Sequence, residues 1–153
     1  MTSVVKPEDV ARKTSSGYPA PHNEAVKGRA RAVLGNLFGL DQFGVNVVTL
    51  APGTWSSQRH WHEGEDEFVY VLEGEVVLAD DAGDHVMTQG MCAGFKAGNG
   101  NGHHLKNLSE KPASYLEIGT RLQTDKAHFS DIDMMAIKEG GAFRFVRKDG
   151  SGF

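Results

Sequence analysis

Two histidines one residue apart, His60 and His62, followed by a glutamate at position 67, carry the clearest chemistry in this sequence. On an extended segment alternate side chains share a face, so both imidazoles point one way while Trp61 points the other. A short turn through Glu63, Gly64, Glu65 and Asp66 leads into a second apolar segment that begins with Glu67. Folded back beside the first, that segment brings the carboxylate to both rings. Two neutral nitrogens and one anionic oxygen, with coordination positions left open, are the donors that a divalent transition metal such as Mn, Fe, Co, Ni or Zn takes. One further ligand would complete the set. His103 and His104 stand at the mouth of a later apolar segment, and spacing alone does not choose between them.

The elements that must position these groups are short. From Val33 onward, β-type segments alternate with turn residues, at 33–38, 45–50, 67–72, 75–79, 85–88, 91–95, 102–107 and 114–118. With the H-x-H segment this makes about nine strands and almost no helical periodicity, as sandwiches and barrels show. Ala51, Pro52 and Gly53 end one strand, and Glu73 and Gly74 form a hairpin turn. The count suits a jelly roll, in which inward residues fill the interior or line one cavity. Residues 1–25, with Pro7, Pro19 and Pro21, read as an N-terminal arm with at most a short helix after Pro7. Residues 26–125 make the barrel, and residues 126–153 form a C-terminal extension that packs on the barrel or on a partner. Within the extension, 130–137 suits a helical turn or a strand, and 143–147 alternates like an edge strand. The glycine run 98–102 opens no helix, so it reads as a long turn and not as a phosphate cradle.

Together the two histidine segments resemble the paired motifs of the cupin superfamily. Gly53, His60, His62, Glu67 and Gly74 follow the first motif, with one extra residue before His60. Gly90, Gly98, His103 and Asn107 follow the second, with Lys96 in place of the usual Pro and a loop two residues longer than the commonest form. The H-x-x-x-N pattern is satisfied by His103 and not by His104, so the resemblance implies a metal set of His60, His62, Glu67 and His103. It also implies the double-stranded β-helix, or jelly-roll, fold over roughly residues 45–120, and a homodimer.

Composition narrows the classes. A net charge of −4 without a basic patch argues against nucleic acid. The longest apolar run, 68–72, is far too short to span a bilayer. One cysteine, Cys92, permits no internal disulfide and suits a cytoplasmic location; flanked by Met91 and Ala93, it reads as a buried thiol. Asn107, Leu108 and Ser109 form a sequon that reads as a chance match. His85 and His128 lack partners at ligand spacing and read as surface or packing residues, and His22 sits in the polar arm. Phe68, Tyr70 and Trp61 face away from the ligands, as core or interface aromatics.

Four protein ligands on a six-coordinate metal leave two positions for a small polar organic substrate with two oxygens. The chain is similar to short cupins for which a sugar or sugar-phosphate isomerase role is suggested. There a metal holds the carbonyl and its neighbouring hydroxyl while a base moves a proton through an enediolate. Glu117 is the candidate base, with a solvent-facing strand carboxylate as the alternative. Arg59 and Lys96 flank the ligand segments and are candidates for an anionic substrate group. The same ligands would serve an Fe(II) dioxygenase, or a non-catalytic binding module. The homodimer is expected to pair through the arm and an outer sheet face, which would cover open sheet edges.

Overall fold

Alternating side chains and frequent turn residues produce strands almost throughout the computed structural model, which describes residues 4–153. A 3-10 turn, Pro7–Asp9, precedes β1 (Arg12–Lys13), and a second, Glu24–Val26, precedes β2 (Arg29–Val33). One helical turn, α1 (Leu34–Leu37), leads to β3 (Phe43–Leu50). The motif strands are β4 (His60–His62) and β5 (Glu67–Glu73), followed by β6 (Glu75–Asp80), β7 (Gly83–Thr88), β8 (Cys92–Phe95), β9 (His104–Lys106) and β10 (Ala113–Thr120). The C-terminal strands are β11 (Asp125–Phe129), β12 (Met135–Glu139) and β13 (Ala142–Val146). No helix among the described residues is long and apolar enough to cross a membrane.

The strands form three antiparallel sheets ordered β1-β2-β3-β10-β5-β8, β13-β12-β11-β4 and β7-β6-β9. The architecture is an all-β jelly-roll barrel. Gly74 makes the β5–β6 hairpin possible: its φ is 78°, and a Cβ there would lie 2.9 Å from the Pro112 carbonyl. Register across the long sheet aligns Arg31 with Val48, Val48 with Tyr115, and Tyr115 with Val71, all on the inward face. Inward Val48, Leu50, Val69, Val71 and Tyr115 pack against Val76, Leu78, Met87 and Leu105 of the three-stranded sheet. That end of the barrel is filled. At the other end, Ala127, Phe129, Met134 and Ala136 form a second cluster on the four-stranded sheet, and between it and the long sheet lies a cavity.

Several expectations are corrected. The strand expected at 33–38 ends at Val33, because β2 pairs with β3 and the chain must reverse between them. Gly35 takes the close approach of that reversal, where a Cβ would sit 3.2 Å from the Val45 nitrogen. Cys92 is exposed, not buried: on β8, alternation turns Ala93 and Phe95 towards the core and sets Cys92 opposite Tyr70 on the outer face. Of the two alternatives for 130–137, the strand is found in its second half, as β12 after a loop, and the edge strand expected at 143–147 is present as β13. Residues of the N-terminal arm lie on this chain's own barrel. There β1 extends the long sheet, and the Tyr18 ring meets Phe129 and Phe145 edge-on at 5.7 and 5.2 Å.

Candidate metal centre

Strand β4 pairs with β11 so that His60 lies opposite Phe129 and His62 opposite Ala127, both facing the barrel interior. Trp61 turns outward and stacks on His128 at 4.4 Å. Glu67 opens β5 and faces the same interior, opposite Gly119. His103 arrives through a bridge with His60, in which each backbone N–H donates to the other's carbonyl at 3.2 and 2.9 Å. The preceding loop needs glycine at 102, where a Cβ would fall on the Ser130 hydroxyl.

Three imidazole Nε2 atoms therefore converge on one carboxylate. His60 Nε2 lies 3.8 Å and His62 Nε2 3.7 Å from Glu67, and His103 Nε2 donates to Glu67 Oε2 at 2.8 Å. Donors each about 2.1 Å from one cation stand about 3 Å apart at right angles and about 4 Å apart when opposed. His60, His62 and Glu67 offer donor atoms that all lie within 4.8 Å of one another, so these three fit a divalent transition metal, while His103 is tied to Glu67 and stands outside that group. The far sides of the rings prepare them for it. His60 Nδ1 donates to the Gln58 carbonyl at 2.8 Å and His62 Nδ1 to Asp125 Oδ2 at 2.6 Å, which leaves each neutral ring with its lone pair on Nε2. Phe95 stacks on His103 at 3.6 Å, nearly parallel, and fixes that ring's plane. His104 turns the other way, is buried against Trp55, and donates from Nδ1 to the Ser57 carbonyl.

Electrostatics match this arrangement. Burial, the largest effect, pushes His60 down to about 4, and the neighbouring imidazoles add to it against the pull of Glu67. His60 is thus a neutral donor at physiological pH. Burial alone would raise Glu67, but the His103 hydrogen bond and the three rings outweigh it and hold the carboxyl down to about 2. A neighbouring group, His62, Glu65 and Asp125, shares ligand chemistry. There, however, Lys138 neutralises Glu65, while the second Asp125 oxygen accepts from the Gly64 N–H at 2.8 Å. It holds His62 in place from behind.

All the candidate ligands but His103 face a cavity of about 530 Å³, within the range of small-molecule sites, while His103 lines a small adjoining pocket with His60, Glu67 and Phe95. His60, His62, Glu67 and Glu117 line the larger cavity. Glu117 lies on β10, opposite Asn46 on one side and Val69 on the other, and accepts from Asn46 Nδ2 at 2.8 Å. Arg59 and Lys96 are not on this cavity. Arg59 is engaged by Asp131 and Asp81, and Lys96 by Asp66 on an exposed turn. The cations that do line it, Lys13, Arg29, Arg31, Arg121 and Lys138, lie in segments where no motif marks them. Alternation along 29–33 is the one signal that could have found the arginines. Asp125 is 63 residues from His62, and nothing local in the sequence joins the two.

The remaining groups are structural. Asn107 is fully buried and donates both amide hydrogens, to the Leu50 and Lys111 carbonyls, so no glycan can reach it. His85 pairs with Asp80 and His128 with Glu63. In the acidic turn, Glu65 is buried beside His62 while Glu63 and Asp66 are exposed.

Comparison with known proteins identifies the family. The family model described as "Cupin domain" matches residues 46–119. No curated protein sequence matches the chain. Among solved structures, a sugar phosphate isomerase of the cupin superfamily from Silicibacter pomeroyi is 46% identical. The match covers 99% of this chain and 96% of that one, with a TM-score of 0.94. A proposed sugar phosphate isomerase from Acidithiobacillus ferrooxidans is 26% identical over 81% of this chain and 80% of that one, with a TM-score of 0.74. The polyketide cyclase RemF from Streptomyces resistomycificus, 21% identical over 78% and 80% with a TM-score of 0.66, shares the fold alone. Motif spacing, barrel topology and near full-length similarity converge: the chain belongs to the cupin superfamily.

Proposed function

We propose that this protein is a metal-dependent isomerase of sugar phosphates, with His60, His62, Glu67 and His103 holding one divalent transition metal and Glu117 acting as the base. The observation that carries the reading is the convergence of three Nε2 atoms on the Glu67 carboxylate, with Glu117 lining the same cavity as His60, His62 and Glu67. The 46% identity to the Silicibacter pomeroyi protein supports the choice of substrate class. Bound there, the cation would supply a Lewis acid that polarises a carbonyl.

The protein's own residues do the rest. Glu117 stands one strand from Glu67, on the same sheet face. It takes the proton from the hydroxyl-bearing carbon and returns it to the former carbonyl carbon, while the hydroxyl proton passes between the two oxygens. One C–H bond breaks and one forms, so aldose and ketose interconvert without an oxidant. Asn46, donating to Glu117 Oε2, fixes the carboxylate's orientation.

The test is to load the protein separately with Mn, Fe, Co, Ni and Zn and to follow aldose and ketose phosphates. Turnover is expected with at least one metal. In Glu117→Gln the kcat should fall by about 10²- to 10⁴-fold with metal content unchanged. Absence of turnover across metals and sugar phosphates would overturn the reading. Oxygen uptake that requires iron would replace it with a dioxygenase.

The same proposal includes a homodimer. Phe68, Tyr70 and Leu72 occupy alternate outward positions of β5 and remain exposed, which supports pairing through that face. A sedimentation mass of one chain would contradict it.

A further inference from the structure

The long-sheet wall of the cavity, three strands away from Glu67, holds three cations that have no ion-pair partner among the described residues. Arg29 and Arg31 are two apart on β2, and Lys13 on β1 lies directly opposite Arg31, so all three share the inward face and line the cavity. Among the described residues none of the three joins a carboxylate. The other cations on this cavity are occupied: Lys138 by Glu65, and Arg121 by the Asn36 side chain and the Leu40 carbonyl. Arg29 spends one N–H on the Ser56 carbonyl, and the Nε of Arg31 is buried with no partner.

Like charges directly opposite one another on a sheet destabilise it, and a buried donor left unpaired costs about 1–3 kcal/mol. Burial, and after it the charge of Arg31, lowers the Arg29 guanidinium from its ordinary range. An anion in the cavity would remove both penalties at once.

We propose that Lys13, Arg29 and Arg31 form a subsite for the phosphate dianion of a phosphomonoester substrate, with the reacting end held at His60, His62, Glu67 and His103. The assignment rests on the isomerase reading for its reacting end, but its anion chemistry is independent. In the sheet order, β2 and β5 are three strand spacings apart, about 14 Å between backbones. Side chains from both strands line the same cavity, which shortens the span that a bound sugar phosphate has to bridge. Glu117, on the strand next to β5, would then lie along the carbon chain near its reacting end. The arginines present planar donors suited to phosphate oxygens, and Lys13 adds a third positive charge.

Calorimetry with inorganic phosphate on the metal-loaded protein is the direct test, with acetate as a monoanion control. Phosphate is expected to bind, and Arg31→Gln to weaken it at least about tenfold, the scale of one charge-assisted hydrogen bond; Arg31→Lys should recover part of the loss. Should Arg31→Gln fail to fold, Lys13→Gln, at an exposed position, gives the same readout with a smaller loss. In kinetics, the kcat/KM ratio of a sugar phosphate to the same sugar without phosphate should fall at least tenfold in Arg31→Gln, through KM. Phosphate binding that both variants retain and metal removal abolishes would place the anion on the metal and overturn the subsite, as would acetate binding equally well. Phosphate binding lost in the variants without any isomerase turnover would sink the isomerase reading and leave the subsite standing. Turnover of sugar phosphates with KM unmoved in both variants would do the reverse.

Discussion

The inward face of the long sheet has two halves with opposite fates. In one, Val48, Leu50, Val69, Val71 and Tyr115 meet the apolar face of the three-stranded sheet and leave no room. In the other, Arg29, Arg31, Asn46, Glu67 and Glu117 face the four-stranded sheet across an open cavity. Both halves obey the same alternation along the same strands: Glu67, Val69 and Val71 follow one another on β5, and Glu117 and Tyr115 on β10. Strand periodicity chooses the face. What lies opposite chooses between packing and chemistry. The packed half can thus be expected to govern stability, and the open half metal retention and turnover.

That division can be broken from either side. The largest effect is expected from Glu67→Gln, which removes the one anionic donor: metal content should fall from about one ion per chain towards none, with turnover lost. Elemental analysis after gel filtration reads it, and a variant that kept its metal would place the ion elsewhere. Next comes Leu50→Ala in the packed half. It should cost about 2–5 kcal/mol in urea unfolding, while the folded fraction keeps its metal; loss of metal in step with stability would erase the distinction between the halves.

A smaller effect follows at the back of His62. Asp125→Asn keeps the shape but removes the charge that fixes the ring's tautomer, so metal affinity should weaken by about 10- to 100-fold in chelator competition. An unchanged affinity would reduce Asp125 to a turn residue capping the Gly64 N–H. The smallest effect is in the metal-free protein. Its His60 is pushed down to about 4 from 6.5, so on acidification the unfolded chain takes up that proton first. The His60 contribution is present above 6.5 and is lost as pH falls towards 4, about 1 kcal/mol of it between pH 7 and 5.5. Thermal midpoints across that range should slope less in His60→Asn than in the wild type, and equal slopes would refute the assignment.

The grouping of His60, His62 and Glu67 was readable because its logic is local. His60, His62 and Glu67 sit on two strands joined by a short turn, and alternation plus one reversal brings them together. His103 needed a motif to separate it from His104; in the structure the two rings point opposite ways, as neighbours around a strand start must. The less legible parts depend on distant chain. Asp125 meets His62 only because β11 pairs with β4, and Lys13 meets Arg31 only because the arm adds a strand to the long sheet. Arg59 and Lys96 illustrate the converse: nearness in sequence to a ligand drew attention to them, yet each has a carboxylate partner away from the cavity. Cys92 was misread because a small apolar neighbourhood looks the same from either side of a strand.

By itself the sequence determined the strand-rich class, the spacing of the candidate ligands and the face each of them takes, since these follow from a two-residue period and from turns that glycine and proline impose. Only the tertiary structure decided which sheet stands opposite which half of the long sheet. That pairing is non-local. It leaves Arg29 and Arg31 lining a cavity and Leu50, directly opposite Arg29, in a packed core, a difference that no period within the strand can encode.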